Sequence, residues 1–227
     1  MQNAVYSRTL GDFAAARAAQ LPARPSSFTD PLDMIGAPMA FKRNAEIYGE
    51  YEPAEYFYKV LSGAVRTYRT LADGRRQIGA FYLPGDMFGL ETGDTHGTSA
   101  EAVSDVRVLL IKRSTVVAMA ARDNDIAHQL WTLTARELRR AQDHVMALVR
   151  SAEERVAGFL LEMASRAPAS NQVDLPMSRQ DIADYLGLTI ETVSRTMSHL
   201  ESIAAIELPS SRRVVLRNRT ALKRLNE

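Results

Sequence analysis

The chain has 227 residues, of which 46% are hydrophobic and 24% charged, and its formal net charge is +1. This length favours two modest domains, each large enough to bury a core. The absence of cysteine excludes disulfides, thiolate zinc sites and cysteine-ligated iron–sulfur clusters. No apolar run reaches the roughly 18 residues that span a membrane, and the N-terminus lacks a signal-peptide pattern, so we expect a soluble, cytoplasmic protein with no membrane partner.

The first part of the chain divides into an arm and a region of short β-like segments. Residues 1–38 are the predicted arm, in which the Ala-rich stretch Phe13 to Gln20 is typical of a short helix. Residues 39–124 begin with short apolar runs separated by turn residues, a pattern typical of an antiparallel sandwich or barrel. Ser62-Gly63 and Ala72-Asp73-Gly74 are predicted hairpin turns. The predicted strands are Glu46–Tyr48, Tyr56–Leu61, Ala64–Thr70, Gln77–Tyr82 and Val106–Ile111.

A long helical pattern without Gly or Pro runs from Asp125 to about Arg150. One of its faces is a seam with spacings of three and four residues, and such a seam needs a partner helix. The partner is either a second copy of the chain or another part of the same monomer. A second apolar set, Ile126, Leu130 and Leu133, is predicted to face the β-rich region. The seam consists of Trp131, Thr134, Leu138, Ala141, Val145, Leu148 and Ala152.

After an amphipathic helix over Ser151 to Ser165, the stretch from Met177 to Leu200 reads as two short helices around one tight turn. Ser178 stands at a predicted N-cap, and Gly187 can adopt the left-handed conformation that a sharp turn between helices needs. In the second helix the apolar positions Val193, Met197 and Leu200 recur every three or four residues. This spacing turns a polar set outward, comprising Glu191, Ser194, Arg195 and Ser198. The pattern predicts a helix-turn-helix whose second helix can enter a DNA major groove.

The C-terminal end combines a predicted hairpin with a basic tail. Ala205 to Leu208 and Val214 to Leu216 are β-like runs on either side of a turn that carries Arg212 and Arg213, which favours a wing. Further basic residues follow up to Arg224, and they suit either contact with a polyanion or a solvated tail.

The segment Asp184-Tyr-Leu-Gly-Leu-Thr-Ile-Glu-Thr-Val-Ser-Arg195 resembles the recognition element of the Crp/Fnr family of bacterial transcription regulators. Its Glu191-x-x-Ser194-Arg195 pattern resembles the Fnr-like and FixK-like branches, and the chain as a whole is most similar to the FixK-like branch. Upstream, the Pro84-Gly-Asp-x-Phe-Gly89 motif after an Asp-Gly turn is similar to the β-roll of the cyclic-nucleotide-binding fold. The resemblance implies an α+β fold with an N-terminal β-roll, a dimerisation helix over residues 125–150 and a winged helix-turn-helix DNA-binding domain over residues 151–227.

The resemblance also implies a function. It implies a homodimer that binds a palindromic TTGA-spacer-TCAA site on double-stranded DNA and contacts RNA polymerase, usually as an activator in low-oxygen or nitrogen-fixation gene control. In such a complex we expect Arg195 to donate hydrogen bonds to a guanine and Glu191 to accept one from a cytosine amine. Ser194 can donate or accept, and Ile190 can contact a thymine methyl group. The expected phosphate contacts are Arg179, Thr189, Thr192, Arg212 and Arg213. The expected dimer interface is Trp131, Leu138, Ala141, Val145 and Leu148.

The β-roll gives little sign of a cofactor. Where nucleotide-binding members have a Gly-Glu pair and then an Arg-Ser pair, this chain reads Gly89-Leu90-Glu91 and then Thr98-Ser99-Ala100, so the phosphate-binding arginine is absent. We therefore expect a regulator without an effector or metal, and the alternative is a regulator of the same fold that is gated by a cyclic nucleotide or another small ligand. The four histidines are well separated along the chain, which disfavours haem binding. The sequence contains no nucleophile elbow, phosphate loop or metal-ligand cluster that would suggest an enzyme.

Overall fold

The computed structural model describes residues 31–91, 93–166 and 171–225, so the stretch Phe13 to Gln20 lies outside the described residues. The predicted α+β class is confirmed, with β-sheets in the N-terminal half and helices with a small sheet in the C-terminal part. The strands are β1 Ala37–Phe41, β2 Glu46–Tyr48, β3 Tyr56–Ser62, β4 Val65–Thr70, β5 Arg76–Tyr82, β6 Met87–Phe88, β7 Ser99–Ala102, β8 Val106–Lys112, β9 Gln172–Asp174, β10 Ile206–Ser210 and β11 Arg213–Leu216. The helices are α1 Pro31–Ile35, α2 Arg113–Ala120, α3 Asn124–Ala147, α4 Ala152–Arg166, α5 Arg179–Leu186, α6 Ile190–Ser202 and α7 Arg219–Leu225.

Two antiparallel sheets of four strands each, ordered β1-β8-β3-β6 and β2-β7-β4-β5, make up the β-roll. They share one core because each strand turns apolar side chains inward, and burial of that apolar area is the main force that holds the sheets together. The core includes Tyr48, Tyr58, Val60, Val65, Tyr82, Phe88, Val106 and Val108. The five predicted strands are confirmed to within one residue at each end.

One predicted turn has a different role from the one expected. Ser62-Gly63 does not close a hairpin, because β3 and β4 belong to different sheets and the turn carries the chain from one to the other. Gly63 has a positive φ of 80°, and a Cβ there would lie 2.3 Å from the carbonyl oxygen of Asp105, so both conformation and space require glycine. The hairpin between β4 and β5 is confirmed, with Leu71 donating its N–H to the carbonyl of Arg75.

The sequence did not predict helix α2, which follows β8 directly at Arg113. The following helix α3 begins after Asp123, whose side chain accepts hydrogen bonds from the N–H groups of Asp125 and Ile126. It ends at Ala147 and not at the predicted Arg150, with Leu148 as C-cap, so the seam does not continue unbroken to Ala152, which begins α4. The predicted second apolar face is confirmed: Ile126 is buried against the β-roll, and Leu130 and Leu133 pack beside it.

The C-terminal part is built around α4, whose apolar face packs against α5, α6, the sheet ordered β10-β11-β9 and α7. The basic tail is largely structured, because Arg217 pairs with Glu207 and α7 buries Leu222 in this core. The same core extends into the β-roll through Ile78, Phe81 and other side chains, so the two halves of the chain pack directly on each other.

Candidate nucleic-acid interface

The first helix of the helix-turn-helix, α5, is fixed at both ends by hydrogen bonds. The hydroxyl of Ser178 accepts from the N–H of Asp181, and the Asp181 carboxylate accepts from the N–H of Ser178, which completes a capping box. At the other end Gly187 has the left-handed conformation, with φ 62° and ψ 39°. Arg155 donates to the free carbonyl of Leu186 at 2.8 Å. The turn predicted from Ser178 and Gly187 is confirmed, and it sets where the next helix begins.

Helix α6 presents one apolar and one polar face. Thr189 is its N-cap and accepts from the N–H of Thr192, while Val193, Met197 and Leu200 are buried. The predicted polar set is turned to solvent, because it lies on the face opposite the buried residues; it consists of Glu191, Ser194, Arg195 and Ser198. The helix therefore exposes a continuous row of donors and acceptors on a rigid scaffold.

The charges on this exposed face complement each other. Glu191 and Arg195 are separated by one helical turn. The pKa of the fully exposed Glu191 carboxyl lies below its usual range, because its own backbone N–H and the Thr189 hydroxyl hydrogen-bond to it and Arg195 adds an attractive charge. At neutral pH the face thus offers a carboxylate that only accepts hydrogen bonds next to a guanidinium that only donates them.

The side chains of the remaining residues expected to contact DNA differ in their exposure and in the contacts they already make within the chain. Ile190 and Thr189 are exposed, but the Thr189 hydroxyl is engaged with Thr192 in the helix cap, at 3.1 Å between the two hydroxyl oxygens. Arg179, at the start of α5, is half-buried, and its buried Nη1 has no hydrogen-bond partner in the described part of the chain. Burial lowers the pKa of Arg179, and its side chain would have to swing outward to reach a phosphate.

The hairpin of β10 and β11 carries the two predicted wing arginines. Arg212 is exposed at the tip, and its side chain has no ion-pair partner among the described residues. Arg213 is also exposed, but its Nε donates to Asp174 at 2.9 Å. A carboxylate beside Arg213 offsets part of its attraction for a phosphate, so the structure distinguishes two residues that the sequence left equivalent.

The seam of α3 faces solvent in the isolated chain. Trp131 is 72% exposed, Leu138 59% and Val145 61%, and Ala141 is exposed as well. A large apolar strip on a soluble protein usually marks an interface. Leu148 differs from the others, because it is half-buried next to the turn of its own helix-turn-helix; a Cβ added at Gly187 would lie 3.5 Å from its Cδ2.

The interior of the β-roll near Glu91 is occupied by the chain's own side chains. His96 is buried and stacks on Tyr48, with 3.5 Å between ring centroids and 10° between planes. Its Nδ1 lies 3.3 Å from Glu91 Oε2, within ion-pair range but poorly aligned for a hydrogen bond. Burial opposes ionisation of Glu91, but His96 and nearby backbone N–H groups outweigh it and lower its pKa. The carboxylate that resembles the ribose-binding glutamate thus already has a partner.

The other histidines have surroundings different from those of His96. His144 stacks on Tyr185, His199 lies 3.6 Å from Glu153, and His128 is exposed on α3. Within the ranges that the structure describes, no cluster of His, Asp and Glu is placed to hold a metal ion. None of the helices in these ranges is long and apolar enough to cross a membrane.

Sequence analysis missed a contact between the β-roll and the helix-turn-helix. Arg66 of β4 and Arg76 of β5 donate to Asp181 of α5 at 2.8 and 2.6 Å. Arg76 also pairs with Asp184 at 2.8 Å. β4 reads Val65-Arg-Thr-Tyr-Arg-Thr70, so its sequence does not distinguish the buried Arg66 from the exposed Arg69, and the partner of Arg66 lies 115 residues away along the chain.

Comparison with known proteins agrees with this architecture. The Crp-like helix-turn-helix domain family matches residues 154–225, and the cyclic nucleotide-binding domain family matches residues 38–123. The chain is 50% identical to the nitrogen fixation regulation protein FixK of Azorhizobium caulinodans, over 97% of this chain and 90% of that protein. The chain belongs to the Crp/Fnr family of transcription regulators, among its FixK-like members.

Other FixK-like proteins support this membership. The FixK protein of Rhizobium meliloti is 40% identical over 82% of this chain and 85% of its own length. The solved structure of FixK2 from Bradyrhizobium japonicum superposes with a TM-score of 0.82 at 52% identity, over 85% of this chain and 98% of that one. These relatives are regulators with a DNA-binding domain and not enzymes. The exposed face of α6 thus lies on the recognition helix of a Crp-like domain.

Proposed function

We propose that this FixK-like chain is a homodimeric regulator that reads a two-fold symmetric DNA site of the TTGA-spacer-TCAA kind. The observation that carries the proposal is the exposed polar face of α6, where Glu191, Ser194 and Arg195 stand together above a buried apolar face. A helix with this face can enter the major groove and meet base edges without rearrangement of its own core.

The chemistry of each side chain suggests its base. Arg195 can donate two hydrogen bonds to the O6 and N7 atoms of a guanine, and Glu191 can accept from the amine of a cytosine. Ser194 can donate or accept, and Ile190 can contact a thymine methyl. The TTGA half-site and its complement contain one guanine and one cytosine, which matches one arginine and one glutamate per helix.

A second set of residues contacts phosphates and fixes the position of α6 on the duplex. Arg212 is the strongest candidate because its charge is exposed and unpaired in the described part of the chain. Arg213 contributes less, since Asp174 already shares its charge, and Arg179 contributes after a change of side-chain conformation. Thr189 and Thr192 are close enough to the start of α6 to donate hydroxyl hydrogen bonds.

The dimer forms through the seam of α3, with Trp131, Leu138, Ala141 and Val145 packed against a second copy and Leu148 at the edge next to the helix-turn-helix. In this arrangement residues 39–124 contain a sensor-like β-roll, the dimerisation helix is α3, which ends at Ala147 within the predicted segment 125–150, and residues 151–227 are the DNA-binding domain. The predicted N-terminal arm, residues 1–38, has no assigned role, and its last part already belongs to the β-roll, because β1 begins at Ala37 and Leu32 of α1 is buried in the same core as Leu109.

The names of the relatives suggest the biological setting. Proteins that are 50% and 40% identical carry the name nitrogen fixation regulation protein, and we assign this chain to the control of nitrogen-fixation or low-oxygen genes. It acts on promoters in the cytoplasm, where it contacts RNA polymerase, in most cases as an activator.

A selection of bound sites from random double-stranded DNA tests the proposal. We expect a two-fold symmetric consensus in which each half contains one strongly selected guanine and one cytosine on opposite strands. A consensus without symmetry, or enrichment of no sequence at all, would refute the proposed site.

A second candidate is a regulator of the same fold that is gated by a cyclic nucleotide. The match of residues 38–123 to the cyclic nucleotide-binding domain favours it. Against it, position 98 holds Thr98 where the phosphate-binding arginine is expected, and His96 and Tyr48 occupy space beside Glu91. A buried phosphate without a cationic partner loses a charge-assisted hydrogen bond of about 1.5 to 3 kcal/mol.

We therefore predict that cyclic nucleotides leave DNA affinity unchanged. The purified protein should bind its site without additives, and neither cyclic AMP nor cyclic GMP should shift the dissociation constant in a fluorescence anisotropy titration. A tenfold gain in affinity with either nucleotide, equivalent to about 1.4 kcal/mol of coupling, would favour the gated regulator instead.

A further inference from the structure

The contact between the β-roll and α5 is built from charges that are largely removed from water. Asp181 is 4% exposed and Arg66 7%. Arg66 Nη1 donates to Asp181 Oδ1 at 2.8 Å and its Nη2 to Glu101 at 2.5 Å. Arg76 donates to Asp181 Oδ1 at 2.6 Å, and both its Nε and its Nη2 reach Asp184 Oδ2, at 3.0 and 2.8 Å. We call these five side chains the ionic contact.

The same carboxylate joins the β-roll to the start of α5. Asp181 Oδ1 accepts from the two arginines, while Oδ2 accepts from the N–H of Ser178 at 3.0 Å and from its hydroxyl at 2.8 Å. Because the capping box sets where α5 begins, the arginines hold the helix at its first turn. Gln77 adds a hydrogen bond from its amide to the carbonyl of Tyr185 at 3.3 Å.

The position of α5 determines that of α6. The two helices are connected only by residues 187–189 and share one apolar core, which includes Leu186, Val193 and Met197. Closely packed cores resist small displacements, so a shift of α5 relative to the β-roll carries α6 with it. On the same face of α5, Tyr185 packs against Phe81 of the β-roll with 5.2 Å between ring centroids.

Buried ion pairs stabilise proteins only weakly, because desolvation offsets their attraction, but separating one leaves buried charge without a partner. Such pairs are suited to fixing one geometry among several apolar packings. Arginine adds directional control, since its donors are fixed in one plane. Nε and Nη2 of Arg76 both donate to one oxygen of Asp184, Oδ2, and Nη2 also donates to Asp181 Oδ1, so two carboxylates of α5 hold one guanidinium of β5.

The ionic contact leaves the DNA-reading face free. Glu191, Ser194 and Arg195 remain exposed while α5 is held against the β-roll. The contact therefore does not block the recognition helix, and the held arrangement is compatible with DNA binding. The β-roll also packs on the dimerisation helix through Ile126, so it links α5 to the helix that sets the two-fold axis.

We propose that Arg66 and Arg76 are positioning residues for DNA recognition, which hold α5 through Asp181 and Asp184 so that the two α6 helices of a dimer meet successive major grooves. This inference rests on the proposed function. Two half-sites lie about 34 Å apart, one helical turn or a multiple of it, so tight binding to a symmetric site requires the two α6 helices to be held at that distance. Binding to a single half-site does not depend on the distance between the helices. Loss of the ionic contact should therefore weaken symmetric-site binding selectively.

The test compares Arg76→Met with Arg75→Met. Arg75 is a matched control because it lies in the same hairpin, and its ion pair, with Asp73 at 2.7 Å, also lies within that hairpin. Affinity is measured for a symmetric site, for a duplex with one half-site scrambled and for random duplex. We expect Arg76→Met to raise the dissociation constant for the symmetric site at least tenfold and the other two less than threefold. Arg75→Met should change none of the three by more than threefold.

Two further measurements separate positioning from loss of folding. The double variant Arg76→Met with Asp184→Asn should bind the symmetric site no more weakly than Arg76→Met alone, because both changes remove the same contact. The chain has no cysteine, so Ala72→Cys and Ser211→Cys allow spin labels on the β-roll and the wing. In dimers diluted with unlabelled chains, Arg76→Met should broaden the distance distribution between the labels.

Three results would overturn the inference: equal weakening of all three duplexes, additive losses in the double variant, or a label distribution that matches the Arg75→Met control. If Arg76→Met fails to fold, Asp184→Asn alone replaces it with the same expected pattern. Failure of the proposed function looks different, because the wild-type protein itself would then not prefer the symmetric site to the scrambled one.

Discussion

Replacing Arg195 with alanine should remove about 1 to 3 kcal/mol of binding free energy per half-site on the preferred sequence, and so about 2 to 6 kcal/mol for a symmetric dimer. The reason is that the guanidinium on α6 is exposed and free to make two hydrogen bonds to one guanine. The variant should also lose discrimination at one guanine in each half-site. Binding to random duplex should change much less.

Replacing the wing arginines, Arg212 and Arg213, should have a different effect from replacing Arg195. Arg212→Ala should weaken binding to all sequences almost equally and lower the slope of log K against log salt by about one per subunit, because each phosphate contact releases roughly one counterion. Arg213→Ala should have a smaller effect on the slope, since Asp174 already accepts from Arg213 in the free protein. A model in which any basic residue contributes alike predicts no difference among the three variants.

The experiment is a titration of the wild type and the three variants against the best site, a site with that guanine replaced, and random duplex, at two salt concentrations. If Arg195→Ala weakens binding to all three duplexes by the same factor, Arg195 is a phosphate contact and its assignment to a base is wrong.

Replacing Val145 with glutamate should prevent dimerisation. Val145 is 61% exposed in the single chain and belongs to the seam near the C-terminal end of α3, so dimerisation would bury the new carboxylate against apolar side chains. Burying an unpaired charge costs several kcal/mol. DNA affinity should fall steeply although α6 is unchanged, because binding by two linked helices becomes binding by one.

Sedimentation at low micromolar concentration measures this effect directly. Thr132→Glu is a suitable control, because it adds the same charge to an exposed position of α3 outside the seam. We expect the control to remain dimeric and Val145→Glu to be monomeric. If the Val145→Glu protein is still a dimer, the dimer interface lies on a surface other than the seam.

Local sequence signals were enough to predict the helix-turn-helix. Ser178 and Gly187 mark the two ends of α5, and each acts through its own backbone neighbourhood, so their roles can be read without knowledge of the fold. The apolar period of α6 likewise gives its buried side and, by exclusion, the exposed face. These features depend on residues at most about one helical turn apart.

Features that depend on distant residues were missed or misread. The turn at Gly63 looks like a hairpin turn, but the pairing of β3 with β8 and of β4 with β7 sends the two strands into different sheets. Helix α2 follows β8 directly, and no Gly or Pro marks the boundary at Arg113. The pairing of Arg66 with Asp181 joins residues that only the assembled fold brings together.

Base reading by two symmetrically placed α6 helices can be tested most directly through the spacer of the site. Lengthening the spacer by about five base pairs rotates one half-site by half a helical turn without changing any base that α6 is proposed to read. We predict two chains bound per duplex on the original site, and a fall in affinity on the lengthened site to that of a duplex with one half-site scrambled. Equal affinity for the original and lengthened sites would contradict recognition by a rigid two-fold dimer.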